Sequence, residues 1–276
     1  MLKPYLLIAV VFLLLGALYS ATNLIKEEAA RFDPDIFAPQ FKEKYRNIAL
    51  VDPEMAPPDI LDKVMHGYRI MINTQKYAEE YAGDKLNCRN CHFRGGNTLG
   101  GKNGSISLVG VSYIYPKYSE RAKKTISLGE RINSCFEKSL NGKPLPLDGD
   151  KMEALIAYLD WISSPVRGRE DFPWLGLPKI VTDHKPDPEK GKDLYAKHCA
   201  ACHMPDGQGK YFEKEEETLD IPPLWGSSSF NRRAGMNNVN TMASFVLLNM
   251  PKDNPYLNVQ EALDVSGFIH NQPRPE

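Results

Sequence analysis

From Ile60 onward, apolar residues recur at helical spacing: Ile60, Leu61, Val64, Met65, Tyr68 and Met71. That period predicts a helix running toward Cys88. A second helix is predicted from Ser127 to Leu140, stopped by Asn141-Gly142. A third covers Asp148 to Ser163, with Met152, Leu155, Ile156, Leu159 and Ile162 on one face. Residues 93–117 are rich in glycine and serine and read as loop, while 165–186, rich in Pro, Gly and isolated aromatics, reads as a linker lying on both halves. The pattern then repeats, with a helix over Glu189 to His198, a glycine-bearing loop, and a closing helix from Asn258 to Asn271. No stretch alternates with the two-residue period of a strand. The expected fold is all-α, two helical domains in tandem.

Ahead of these domains, Lys3 precedes an apolar run from Tyr5 to Tyr19, the layout of an export signal. Cleavage after Ser20 or Ala21 would place Leu18 or Tyr19 where a small residue is needed, and no cysteine follows for a lipid anchor. This favours an uncleaved N-terminal hydrophobic helix as a membrane anchor, with a removed signal peptide as the alternative. Either reading exports the rest of the chain. Residues 26–58 mix charge with proline and read as a tether and surface arm.

Composition narrows the class. The 276 residues carry 34 basic and 35 acidic side chains, for a net charge of −1, so charge favours neither nucleic acid nor an anionic membrane surface as partner. The 21 prolines and 20 glycines suit a loop-rich fold, and 42% hydrophobic content excludes disorder.

The chemistry lies in two CxxCH strings, Cys88-Arg89-Asn90-Cys91-His92 and Cys199-Ala200-Ala201-Cys202-His203. Each sets two thiols one helical turn apart with a histidine next to the second. Both sulfurs can then form thioethers to one haem while the imidazole reaches its iron. A zinc site would need the two pairs close together, yet they lie 111 residues apart, each in its own helical unit. A disulfide framework does not explain the His that ends both. Two covalent haems c are expected, and their attachment requires export.

Each iron also has a far side. In the second domain Met204 is too close to His203, which leaves Met250, 47 residues on and next to Pro251, with Met242 and Met236 as alternatives. In the first domain, Met55, Met65 and Met71 precede the motif and Met152 sits on a core face. There a fifth cysteine, Cys135, stands 43 residues after His92. Its spacing alone fits a ligating thiol or an inert buried one equally. The surroundings favour the former: Lys117, Arg121, Lys123, Lys124, Arg131 and Lys138 outnumber Glu120, Glu130 and Glu137. Such a cluster lowers a thiol pKa and attracts small anions, though a solvated helix face reads the same way.

The strings LNCRNCHFRGG, ERINSCFEKSLNGKPLP, KMEALIAYLDWIS, CAACHMPDGQG, NMP and IHNQPRP resemble the dihaem thiosulfate dehydrogenase family, over a stretch from about Asp59 to Pro275. The resemblance implies two tandem class I cytochrome c-like domains, at 59–166 and 187–276, joined by a linker at 167–186 and preceded by the arm at 26–58 and the hydrophobic segment at 1–25. It implies that two thiosulfate ions are joined to tetrathionate, or tetrathionate is reduced, at the Cys88–His92 haem. Cys135 would be distal ligand and reactive sulfur, Arg121, Arg131 and Ser139 pocket residues, and Met250 distal ligand of the electron-exit haem. Some members of the family carry a lysine before that methionine and exchange ligands on reduction. Here Asn249 holds the position, and a plain His203/Met250 haem is expected. A redox partner cytochrome or respiratory complex would take the electrons in the periplasm. Two other readings compete: a membrane-tethered dihaem shuttle with no substrate, which leaves Cys135 unused, and a cytochrome whose cysteine accepts sulfur from a carrier protein.

Overall fold

In the computed structural model of the chain, residues 45, 47–100, 103–210, 221–252 and 254–276 are described. The apolar N-terminal run lies outside them, and no helix among the described residues is long and apolar enough to cross a membrane. The first half begins with α1 (Leu61–Ile72) and a short α2 (Thr74–Tyr77), then α3 (Leu128–Lys138) and α4 (Asp150–Ser163). The second half has α5 (Pro188–His198), the short α6 (Ala200–His203), α7 (Val239–Asn249) and α8 (Val259–His270).

The halves use the same device to cross their first and last helices. Gly67 of α1 lies where a Cβ would strike the Ala154 carbonyl of α4, and Gly191 of α5 where a Cβ would strike the Asp264 carbonyl of α8. Only glycine lets two helix backbones come so close. Around the first crossing Val64, Ile70, Met152, Leu155, Tyr158 and Ile162 are fully buried; around the second, Val259, Ala262, Leu263 and Val265 are. Each large apolar side chain so buried contributes roughly 1.5–3 kcal/mol.

Two features depart from the expected pattern. α7 was not anticipated, because residues Met242 to Asn249 are all buried and present no polar stripe. The all-α expectation also misses a small antiparallel hairpin, β1 (Lys117–Ser119) with β2 (Lys124–Ile126), which pairs Tyr118 with Thr125. Three-residue strands are too short to show a period.

The linker is pinned rather than free. Trp174 is buried and its indole donates to the Val109 carbonyl at 2.7 Å, while Ser244 of α7 donates to the Pro178 carbonyl at 2.7 Å. The surface arm is fastened likewise, with Asn97 donating to the Val51 carbonyl and Trp161 to that of Asp52. The halves also meet directly. Buried Asn231 donates through its backbone to the Lys138 carbonyl (3.1 Å) and through its side chain to the Glu137 carbonyl (2.9 Å). These are orphan carbonyls at the C-terminus of α3, so one half caps a helix of the other.

Candidate haem centres and active site

The first motif sits in a tight turn, Cys88–Asn90, whose ends are closed by the side chains of Asn87 and Asn90. Thr74 Oγ1 accepts from the Cys88 amide at 3.1 Å, and the His92 amide donates to the Cys88 carbonyl at 2.9 Å. His92 Nδ1 donates to the Ile106 carbonyl at 2.8 Å, which fixes the tautomer and leaves Nε2 for a metal. Burial pulls the imidazole down to about 4, so it is neutral and able to ligate.

The second motif repeats this arrangement. The His203 amide donates to the Cys199 carbonyl at 2.9 Å, and His203 Nδ1 donates to the Pro222 carbonyl at 2.9 Å. Burial again lowers the histidine pKa. None of the five cysteines is paired in a disulfide. Burial pushes Cys88 and Cys91 up to about 12 and Cys199 to about 11.

One continuous cavity of about 930 Å³ is walled by both motifs. Cys135 and Ser139 line it, and so do Met236, Met242 and Met250. Met204 does not. Paired thiols, imidazoles with Nε2 free and a mostly apolar hollow fit covalently held haem. Arg274 fits it too: stacked on Phe230 of the cavity wall (4.3 Å), it keeps Nε and Nη1 buried without a hydrogen-bond partner. A buried cation in that position suits an acidic cofactor edge.

The helix that carries Cys135 starts where its sequence says it should. Ser127 and Glu130 form a reciprocal capping box, which fixes the first turn of α3. Arg131 and Cys135 then fall one turn apart on one face, and Arg131 Nη1 donates to Cys135 Sγ at 2.8 Å. The guanidinium also bonds Tyr115, whose phenol is raised by burial against the pull of Arg131. Cys135 and Tyr115 both favour the charged guanidinium, with Cys135 the larger effect. Tyr115 was not foreseen; an isolated aromatic beside a proline gives no signal for it.

Arg121 is placed differently. It is exposed on the β1–β2 turn, outside the cavity wall, and donates to the Arg233 carbonyl of the other half. Lys138, held by Ser134 Oγ at 3.0 Å, is lowered first by burial and then by Arg121, with Arg233 and Arg131 adding to it. Cations therefore gather from Arg131 to the seam between the halves.

Comparison with known proteins now separates a generic cytochrome from a particular one. A family model for the SoxA/TsdA cytochrome c domain matches residues 75–167, and one for cytochrome c matches 188–273. The chain is 37% identical over 220 residues to a thiosulfate dehydrogenase of Stutzerimonas stutzeri, covering 77% of this chain and 68% of that one. It is 36% identical over 221 residues to a thiosulfate dehydrogenase of Allochromatium vinosum, covering 78% and 79%. The chain belongs to the thiosulfate dehydrogenase family. With a cytochrome c domain over each CxxCH string, this member of the family is a dihaem c-type cytochrome. A solved thiosulfate dehydrogenase (TsdBA) of Marichromatium purpuratum superposes with a TM-score of 0.72 at 29% identity, covering 80% of this chain. The chain spans about half of that protein's length (48%).

Proposed function

We propose that the chain oxidises two thiosulfate ions to one tetrathionate at the Cys135 side of the Cys88–His92 haem. The observation that carries this reading is the Arg131 Nη1–Cys135 Sγ bond of 2.8 Å on the wall of the haem cavity. A guanidinium that donates to this sulfur also stands where it can neutralise an anion brought to it. In the first step the Cys135 thiolate and the outer sulfur of thiosulfate form an S–S bond, and two electrons leave. In the second, another thiosulfate attacks that outer sulfur, the Cys135–sulfur bond breaks, and the thiolate returns as tetrathionate departs. The covalent step lets one anion wait for the other, so two dianions never meet unscreened. Arg131 offsets their charge, and Ser139, on the same wall, can donate to a sulfonate oxygen. Cys88, Cys91 and His92 would hold one haem and Cys199, Cys202 and His203 the other, and these would supply one-electron acceptors.

Met250, on the cavity wall, would hold the second haem together with His203, and a haem so held would serve as the electron exit. Asn249 leaves that ligation plain, without exchange. A redox cycle in which the absorption spectrum shows nitrogen replacing sulfur there would contradict it. Tethering by the apolar N-terminal segment would hold the enzyme at the outer face of a membrane, with a cytochrome or respiratory complex as acceptor.

Turnover with thiosulfate and an artificial acceptor tests the activity. Wild type is expected to turn over, and Cys135→Ser, with both haems retained by mass, to lose turnover in both directions. Full activity in Cys135→Ser would overturn the proposal, and no turnover in wild type would favour the substrate-free shuttle.

A further inference from the structure

A string of hydrogen bonds runs from the Met250 side of the second half to His92 in the first. Asn249 ends α7, immediately before Met250, and is 0% exposed in an otherwise apolar stretch. A buried amide is tolerated where its polar atoms are satisfied, and here both ends are. Nδ2 donates to the Phe245 carbonyl at 2.9 Å, and Oδ1 accepts from the Ser105 backbone amide at 2.9 Å. One residue earlier, the Leu248 carbonyl accepts from the Asn103 amide at 3.0 Å. Two successive residues of α7 thus grip the 103–106 loop of the other half.

That loop in turn holds the first motif. Ser105 Oγ donates to the Cys91 carbonyl, and the Ile106 carbonyl holds His92 Nδ1 at 2.8 Å. Ser105 does this from φ = 60°, a left-handed conformation that side-chain-bearing residues seldom adopt. The contact is also flanked by packing across the halves: the rings of Phe93 and Phe245 meet edge to face at 6.0 Å.

We infer that Asn249 is a positioning residue for both haem centres at once. Its backbone sets the start of the Met250 segment, and its side chain, through Ser105 and Ile106, sets the imidazole of His92. The hydrogen bond to a metal-bound imidazole tunes ligand basicity and ring orientation, so a change at Asn249 reaches the haem of the other half. The inference rests on the proposed reading of His92 and Met250 as iron ligands.

The test uses the full dihaem protein with two single variants and their combination. Asn249→Ala removes the bridge. Ser105→Gly keeps the backbone amide and tolerates the left-handed turn, and removes only the Oγ bond to Cys91. Potentials of both haems are read by spectroelectrochemical titration, and ligand geometry by electron paramagnetic resonance. Asn249→Ala is expected to shift the potentials of both haems, and Ser105→Gly that of the first alone. In the double variant the first-haem shift should fall short of the sum, because the two changes act on one string. An unchanged first haem in Asn249→Ala, or in Ser105→Gly, overturns the inference. A second haem that lacks the methionine–iron charge-transfer band in wild type overturns the ligand reading itself, and the inference with it.

Discussion

The Cys88–His92 and Cys199–His203 pockets are alike on the side of the histidine and unlike opposite it. In each, an imidazole is fixed through Nδ1 to a backbone carbonyl (Ile106 in one half, Pro222 in the other) and burial keeps it neutral. In each, a glycine brings the first and last helices into contact. The difference lies in what faces the remaining space: a thiol bonded by an arginine in the first half, methionines in the second. On the proposed reading, one scaffold would support a reactive centre in one half and a relay in the other, set by the opposing side chains.

The largest effect that could break this comparison is that of Cys135→Ser, a loss of turnover on the order of 10³-fold or more, since removing a nucleophile leaves only binding and electrostatics. Arg131→Gln comes next. It keeps hydrogen-bonding capacity and removes the charge, and kcat/KM for thiosulfate is expected to fall about 100-fold. A variant as active as wild type would put the charge compensation elsewhere. Met250→Ala should lower the potential of the second haem and slow steady-state turnover, with a smaller loss than Arg131→Gln, whereas Met242→Leu should leave both near wild type. The reverse order would move the ligand to Met242.

The smallest effect concerns stability beside the first motif. Asp84 is buried, its Oδ1 accepts from the Leu86 amide at 2.8 Å, and Oδ2 has no partner. Burial pushes its carboxyl up to about 7. The folded protein therefore holds a proton that the unfolded chain releases near pH 4, so this contribution is complete below pH 4 and is lost as pH rises through 7. Asp84→Asn should remove that slope and stabilise the protein at pH 8 by roughly 2–4 kcal/mol. Denaturant titrations of both proteins from pH 4 to 8 check it; parallel curves would mean that the carboxylate is compensated.

Local features were legible in the sequence and distant ones were not. Ser127 was the expected start of the helix that carries Cys135, and its reciprocal capping with Glu130 is a contact within a single turn. The CxxCH spacing, the closing helices and the repeat were local as well. α7 escaped because it is buried all round, and the hairpin because its strands are too short. Arg121 was expected in the pocket and lies at the seam, since a basic cluster in sequence does not say which cations a turn carries away. Asn249 stood out only as a departure from the family. Its partner, Ser105, is 144 residues distant and carries no mark in the sequence.

The most direct test of a reactive first half and a relaying second half is the mass of the Cys135 peptide after exposure to tetrathionate. The Cys135 thiolate can displace thiosulfate from tetrathionate and keep one thiosulfonate, with no net electron transfer, so the reaction does not depend on the second haem. The other four cysteines are taken up as thioethers, which leaves Cys135 as the one thiol of the five. Wild type and Met250→Ala should gain one thiosulfonate at the same rate, Arg131→Gln should gain it many-fold more slowly, and added thiosulfate should remove it. Turnover in a protein whose Cys135 never carries the adduct would contradict the account.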